Sequence, residues 1–190
     1  MDIEKIRAAL ANTPGVEPGA PAPADHVAAF EARFAITLPA AFRGFVLEVA
    51  DGLVYEGDPW LFSLDQIGHD LADDALAARP FPYDDAEAEA IRVAVRTAVD
   101  AGNVFSPEVM ALQRGGDPDG CLTLASNGGN DFSVLVVTGE QAGWMWRTGE
   151  IDFPESPKLY SPGSADMSPL GFEAWLAQWG DCFLGLMIGS

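Results

Sequence analysis

From Val109 onward the chain repeats one pattern, a short apolar run followed by a gap of turn-forming residues. VMALQ, CLTLAS, FSVLVVT and WMWRT are separated by GGDPDG, NGGND and GEQAG. Runs of this length, rich in Val, Thr and aromatic side chains, suit strands, and gaps built on Asn-Gly, Asp-Gly or Gly-Gly suit tight hairpin turns. The economical expectation is an antiparallel meander.

One of these gaps, Ser126-Asn127-Gly128-Gly129-Asn130-Asp131, also has the look of a ligand loop. A phosphate-gripping glycine loop needs a helix behind it, whose N–H groups point at the anion. Here FSVLVVT follows, a poor helix former, and no lysine stands beside Gly128-Gly129. Asn130 and Asp131 offer two oxygen ligands, short of the roughly six to eight that calcium takes. The stretch is read as a turn.

The rest of the chain has helical periodicity. Asp2 is placed to cap a helix with Ile3, Ile6 and Leu10 on its apolar face, and TPGVEPGAPAPAD, 13–25, reads as a semi-rigid connection. Asp25 then caps HVAAFEARF, with Val27, Phe30 and Phe34 in register. Leu38-Pro39 interrupts, and Pro39 suits the first turn of the next helix, which carries Phe42, Phe45, Val46 and Val49 and ends at Asp51-Gly52. Residues 53–67 read as two short strands around Gly57-Asp58-Pro59. Residues 70–79 and 84–100 read as helices, the second marked by Ile91, Val95 and Val99 and closed by Gly102. Ser168-Pro169 open a terminal helix with Phe172, Trp175, Leu176 and Trp179. The fold class expected is α+β: a single domain over 1–190, its central antiparallel sheet flanked by helices at both chain ends. Residues 1–24 form an N-terminal helix and Pro-rich connection, and 68–105 an acidic helical insert.

Charge narrows the function. The chain has 29 acidic and 10 basic residues, a net of -19. Between Glu48 and Glu89, twelve carboxylates stand against Arg79 alone. A field of that sign repels phosphate backbones, which argues against nucleic acid, and attracts a basic protein. The two cysteines, Cys121 and Cys182, form neither a disulfide framework nor a metal-ligand spacing, so a reducing cytoplasm is expected. MDIEKIRAAL does not resemble a signal peptide, and no apolar run approaches the ~20 residues of a membrane span.

No catalytic constellation emerges. His69 in IGHDLADD has acids beside it and supports a minor alternative, a small hydrolase, but neither a G-x-S-x-G elbow nor a cysteine with a partner motif accompanies it. His26 and the pairs Asp73-Asp74 and Asp84-Asp85 read as solvated residues near helix starts. No metal and no cofactor are expected. Trp144 and Trp146 alternate, so they share one face of a strand with Met145 on the other. They are either core packing or an exposed aromatic platform. With Trp60 they would form the centre of a partner surface rimmed by Asp58, Asp73, Asp74, Asp84, Asp85, Glu87 and Glu89.

The order of features resembles the SUKH superfamily, the group of yeast cell-wall-assembly regulator homologues and bacterial immunity proteins. The matching blocks are Phe30–Gly52, Trp60–Ile67, Leu122–Trp146 and Phe172–Trp179. Leu38-Pro39 matches the family's Leu-Pro, and Asp51-Gly52 stands where the family usually has Asn-Gly. Gly128, Gly129, Asn130 and Asp131 match its glycine-rich turn, and Gly143 its glycine before a strand. The long middle segment 70–105 and the tryptophans after Gly143 depart from the pattern. The resemblance implies an antiparallel sheet flanked by helices, architectural motif residues, no catalytic residue, and a non-enzymatic immunity factor that occludes a basic toxin domain such as a nuclease. A general interaction module with no toxin partner is the main alternative.

Overall fold

The computed structural model describes residues 2–71, 73–102, 119–128, 131–149, 153–154 and 169–183. VMALQ, Gly129, Asn130 and Ser168 lie outside these residues. Helix α1 (Ile3–Asn12) starts at Asp2, whose side chain accepts from Lys5 N, and buries Ile6 and Leu10. The Pro-rich connection after it is not merely a linker. Val16–Pro18 forms strand β1, paired antiparallel with β2 (Leu53–Tyr55). Three residues ending in proline carry too little periodicity to be seen in the sequence.

Helix α2 (Ala24–Phe34) buries Val27, Phe30 and Phe34. Its cap position is Pro23 and no side chain caps it; Asp25 lies in the first turn, where its charge complements the helix dipole. Helix α3 (Ala40–Glu48) follows the Leu-Pro step and buries Phe42, Phe45 and Val46. Strand β3 (Asp58–Leu61) returns from β2 through Glu56 (φ 50°) and Gly57 (φ 94°). Positive φ at both central residues is the twist that a two-residue hairpin requires. The turn therefore sits one residue earlier than Gly57-Asp58-Pro59. Residues 64–67 are not strand: Ser63 and Gln66 form a capping box that starts α4 (Leu64–Asp70). The expected helix 70–79 is replaced by tight turns, in which Leu76, Ala78 and Arg79 N–H groups each bond three residues back. Helix α5 (Asp85–Asp100) runs as expected, and α6 (Phe172–Phe183) is the terminal helix.

Strands β4 (Cys121–Gly128), β5 (Asp131–Val136), β6 (Met145–Thr148) and β7 (Phe153–Pro154) complete the meander. One sheet of seven strands results, in the order β1-β2-β3-β4-β5-β6-β7, every neighbouring pair antiparallel. Gly128 pairs with Asp131, so a strand stands on each side of the glycine-rich gap, as a turn demands.

Side chains alternate across the sheet, and both faces are buried. Leu122, Leu124, Leu135, Val137 and Met145 join the main core with α1–α4 and α6. There Phe172 packs edge-on against Phe42 and Phe45, at centroid distances of 5.1 and 5.4 Å. Cys121, Val134, Val136 and Trp146 face the other way, onto Phe81, Tyr83, Ala88, Ile91 and Val95. The acidic segment is thus a second layer that roofs the sheet, and VLVV reads as a continuous apolar run because neither face meets water. The α+β class, with one antiparallel sheet and helices from both chain ends, stands.

Candidate functional site

A groove of about 1150 Å³ opens where both ends of the chain meet the middle. One wall is α1, through Asp2, Lys5 and Ile6. The Leu-Pro step forms its base, with Leu38, Pro39 and the first residues of α3, Ala40 and Ala41. Ala142 and Gly143 close it from the β5–β6 connection, and Gly171, Glu173, Ala174 and Ala177 from α6. These elements are held in register by main-chain bonds: Met145 N donates to Leu170 O at 2.8 Å, and Trp144 bridges Gly171. A side chain on Gly143 (φ 93°) would sit 4.0 Å from Pro39 Cβ. The Leu-Pro and Gly143 motifs, far apart in sequence, therefore line one cleft. The alanines and carboxylates around it had no signal in the sequence, because small residues on helix starts are common everywhere.

The tryptophans divide. Trp146 is buried at 1% exposure, between Phe81 and Tyr83, and stacks parallel on Tyr83 with centroids 5.0 Å apart. It cannot meet a partner, and its place on a partner surface is corrected. Trp144 is 37% exposed, at the groove's edge. Alternation alone put them on one face, but β6 begins only at Met145 and Trp144 is outside the strand. Trp60 is half-buried edge-on to Tyr55, and Asp58 opposite it is exposed.

Most carboxylates of the acidic segment have local tasks. Asp73 accepts from Ala75 N and pairs with Arg79 at 3.0 Å. Asp74 takes two bonds from Arg33, at 2.9 and 3.1 Å, and these hold its carboxyl below the usual range. Asp84 and Glu87 form a reciprocal cap on α5. Asp85 accepts from Gln141, and Glu89 pairs with Arg92. Asp131 takes a forked bond from Arg147. Every arginine among the described residues is paired with an acid. Exposed Glu17, Glu56 and Asp58 have no cationic partner there. The acids do not converge on one site, and among the described residues no group of three or more His, Cys, Asp or Glu is placed to hold a metal. His69 is exposed in the last turn of α4 and does not line the groove; His26 faces Asp65 at 3.4 Å.

Asp51, before Gly52 (φ 87°), accepts from Leu64 N at 2.8 Å and ties the end of α3 to the start of α4. Burial raises its carboxyl above the usual range; the Leu64 N–H and His26 oppose this, and Asp65 adds to it. A raised folded-state value means that ionised Asp51 weakens the fold at neutral pH, and that this penalty fades as pH falls toward the ordinary carboxylate value of ~3.9. Asp51→Asn keeps an acceptor for Leu64 N–H without the charge. It is expected to be more stable than the parent at pH 7, with the gap closing near pH 4, as read by urea denaturation at both pH values. A destabilised variant at pH 7 would contradict this.

Among the described residues no helix is long and apolar enough to cross a membrane. No family model, curated protein sequence or solved structure matches this chain.

Proposed function

We propose that this protein is a non-enzymatic binding protein, an immunity factor that occludes a basic toxin domain such as a nuclease and works in the cytoplasm. The observation that carries the reading is electrostatic. The net charge is -19, and the described arginines are already matched to acids, while Glu17, Glu56 and Asp58 stand exposed. Such a surface draws in a positively charged polypeptide and disfavours nucleic acid. The SUKH-like order of motifs supports the same reading. The acids of the 48–89 segment, twelve against Arg79 alone along that stretch, supply long-range attraction.

The test is to recover the partner from the native host, identify it, and measure association over a salt range. The partner is expected to be basic, and the association rate should fall at least about tenfold between ~0.05 and ~0.5 M salt. A neutral or acidic partner, or a rate indifferent to salt, would refute the reading. Unchanged protection by Asp73→Asn/Asp74→Asn would show that steering lies elsewhere on the surface, at Glu17, Glu56 and Asp58.

A further inference from the structure

We propose that the groove between α1, the Leu-Pro step and α6 is the docking site, and that its occupant is a basic segment presenting one large apolar side chain between lysines or arginines. This rests on the binding-protein reading above and names the surface that it left open. The cleft holds about 1150 Å³. That exceeds the ~300–1000 Å³ of ordinary small-molecule pockets, and its base offers few convergent polar groups with which to orient one. Ala41, Ala142, Ala174 and Ala177 instead leave room for a protruding side chain. Trp144, 37% exposed, extends the apolar surface at its edge. Partly exposed tryptophans of this kind anchor protein interfaces.

Charge selects the occupant. Asp2 and Glu173 line the cleft together with Lys5, so among the described residues its lining is acidic on balance, in a chain of net -19. An apolar knob flanked by cations satisfies both base and rim. An acidic knob would bring like charges together, which costs affinity.

The probes are short labelled peptides, each with one Leu, Phe or Met among lysines and arginines, and matched peptides with glutamate in place of the cations. Binding is followed by fluorescence polarisation and by amide NMR shifts. The basic peptides should move the signals of Ala142, Gly143, Gly171 and Ala174, and the acidic ones should not bind. Ala174 is exposed, so Ala174→Trp fills the cleft without disturbing a core. It should weaken binding about thirtyfold, the loss of one interface hot spot. Ala101→Lys, exposed and off the groove, should change affinity less than about threefold. Shifts mapping elsewhere, or Ala174→Trp binding as the parent does, would overturn the proposal. A host partner that binds Ala174→Trp undiminished removes the groove but leaves the binding-protein reading. Peptides that seat in the groove while the host yields only a neutral or acidic partner do the reverse.

Discussion

Trp146→Ala should cost about 4 kcal/mol of folding stability. The side chain is 1% exposed, packed edge-on to Phe81 at 4.9 Å and stacked on Tyr83. Removing it empties the centre of the smaller core, between the sheet and α5, and the neighbours are themselves rings that cannot collapse into the gap. Its indole N–H has no hydrogen-bond partner among the described residues. Trp146→Phe sheds that unsatisfied donor along with some volume and should cost far less, on the order of 1 kcal/mol. Trp144→Ala, at a site 37% exposed, should also stay near or below ~1 kcal/mol while weakening partner binding. Urea denaturation followed by far-UV circular dichroism separates the three. Equal losses for Trp144→Ala and Trp146→Ala would refute the two-core account.

Gly120→Ala should be nearly as damaging, at about 3 kcal/mol or more. Gly120 has φ of 72°, strained for any other residue, and a Cβ there would stand 2.6 Å from Arg79 O and 2.7 Å from Phe81 N. Those are main-chain atoms and cannot swing aside. The position is a crossing of bonds: Gly120 N donates to Leu76 O, Val137 N donates to Gly120 O, and the Thr138 hydroxyl donates to Arg79 O while accepting from Phe81 N. These bonds hold the 76–81 turns against β5. Since Phe81 is also a wall of the Trp146 site, the double variant Gly120→Ala/Trp146→Ala should lose clearly less than the two single losses combined. Strict additivity, measured by the same denaturation, would show that the turns and the small core are independent.

The meander, the terminal helices and the helical half of the acidic segment were legible because each carries many residues in one period. Ile6 and Leu10, or Ile91 and Val95, repeat a face often enough to announce it. The second layer was not legible. The twelve carboxylates of 48–89 dominate that stretch, yet Phe81 and Tyr83 sit inside turns whose periodicity is neither 2 nor 3.6. Their role is set by Gly120 and Thr138, 37 to 57 residues away along the chain, and no local window contains such a contact. The groove was half-legible: Leu38, Pro39 and Gly143 were marked, but only the sheet register brings them side by side. Asp51-Gly52 reads as the stop of α3, but the helix ends at Glu48 with Val49 as its cap, and the bonds of Asp51 to Ala20 O and Leu64 N are tertiary.

The outer strands of the sheet, β1 and β7, have three and two residues, and each ends in proline, Pro18 and Pro154. A proline offers no N–H, and strands so short present almost no ladder for another chain to extend. Among the described residues, the margins of the sheet that carries VLVV thus offer little to template a fibril. They offer equally little to a guest that would add a strand, which favours a grip by side chains.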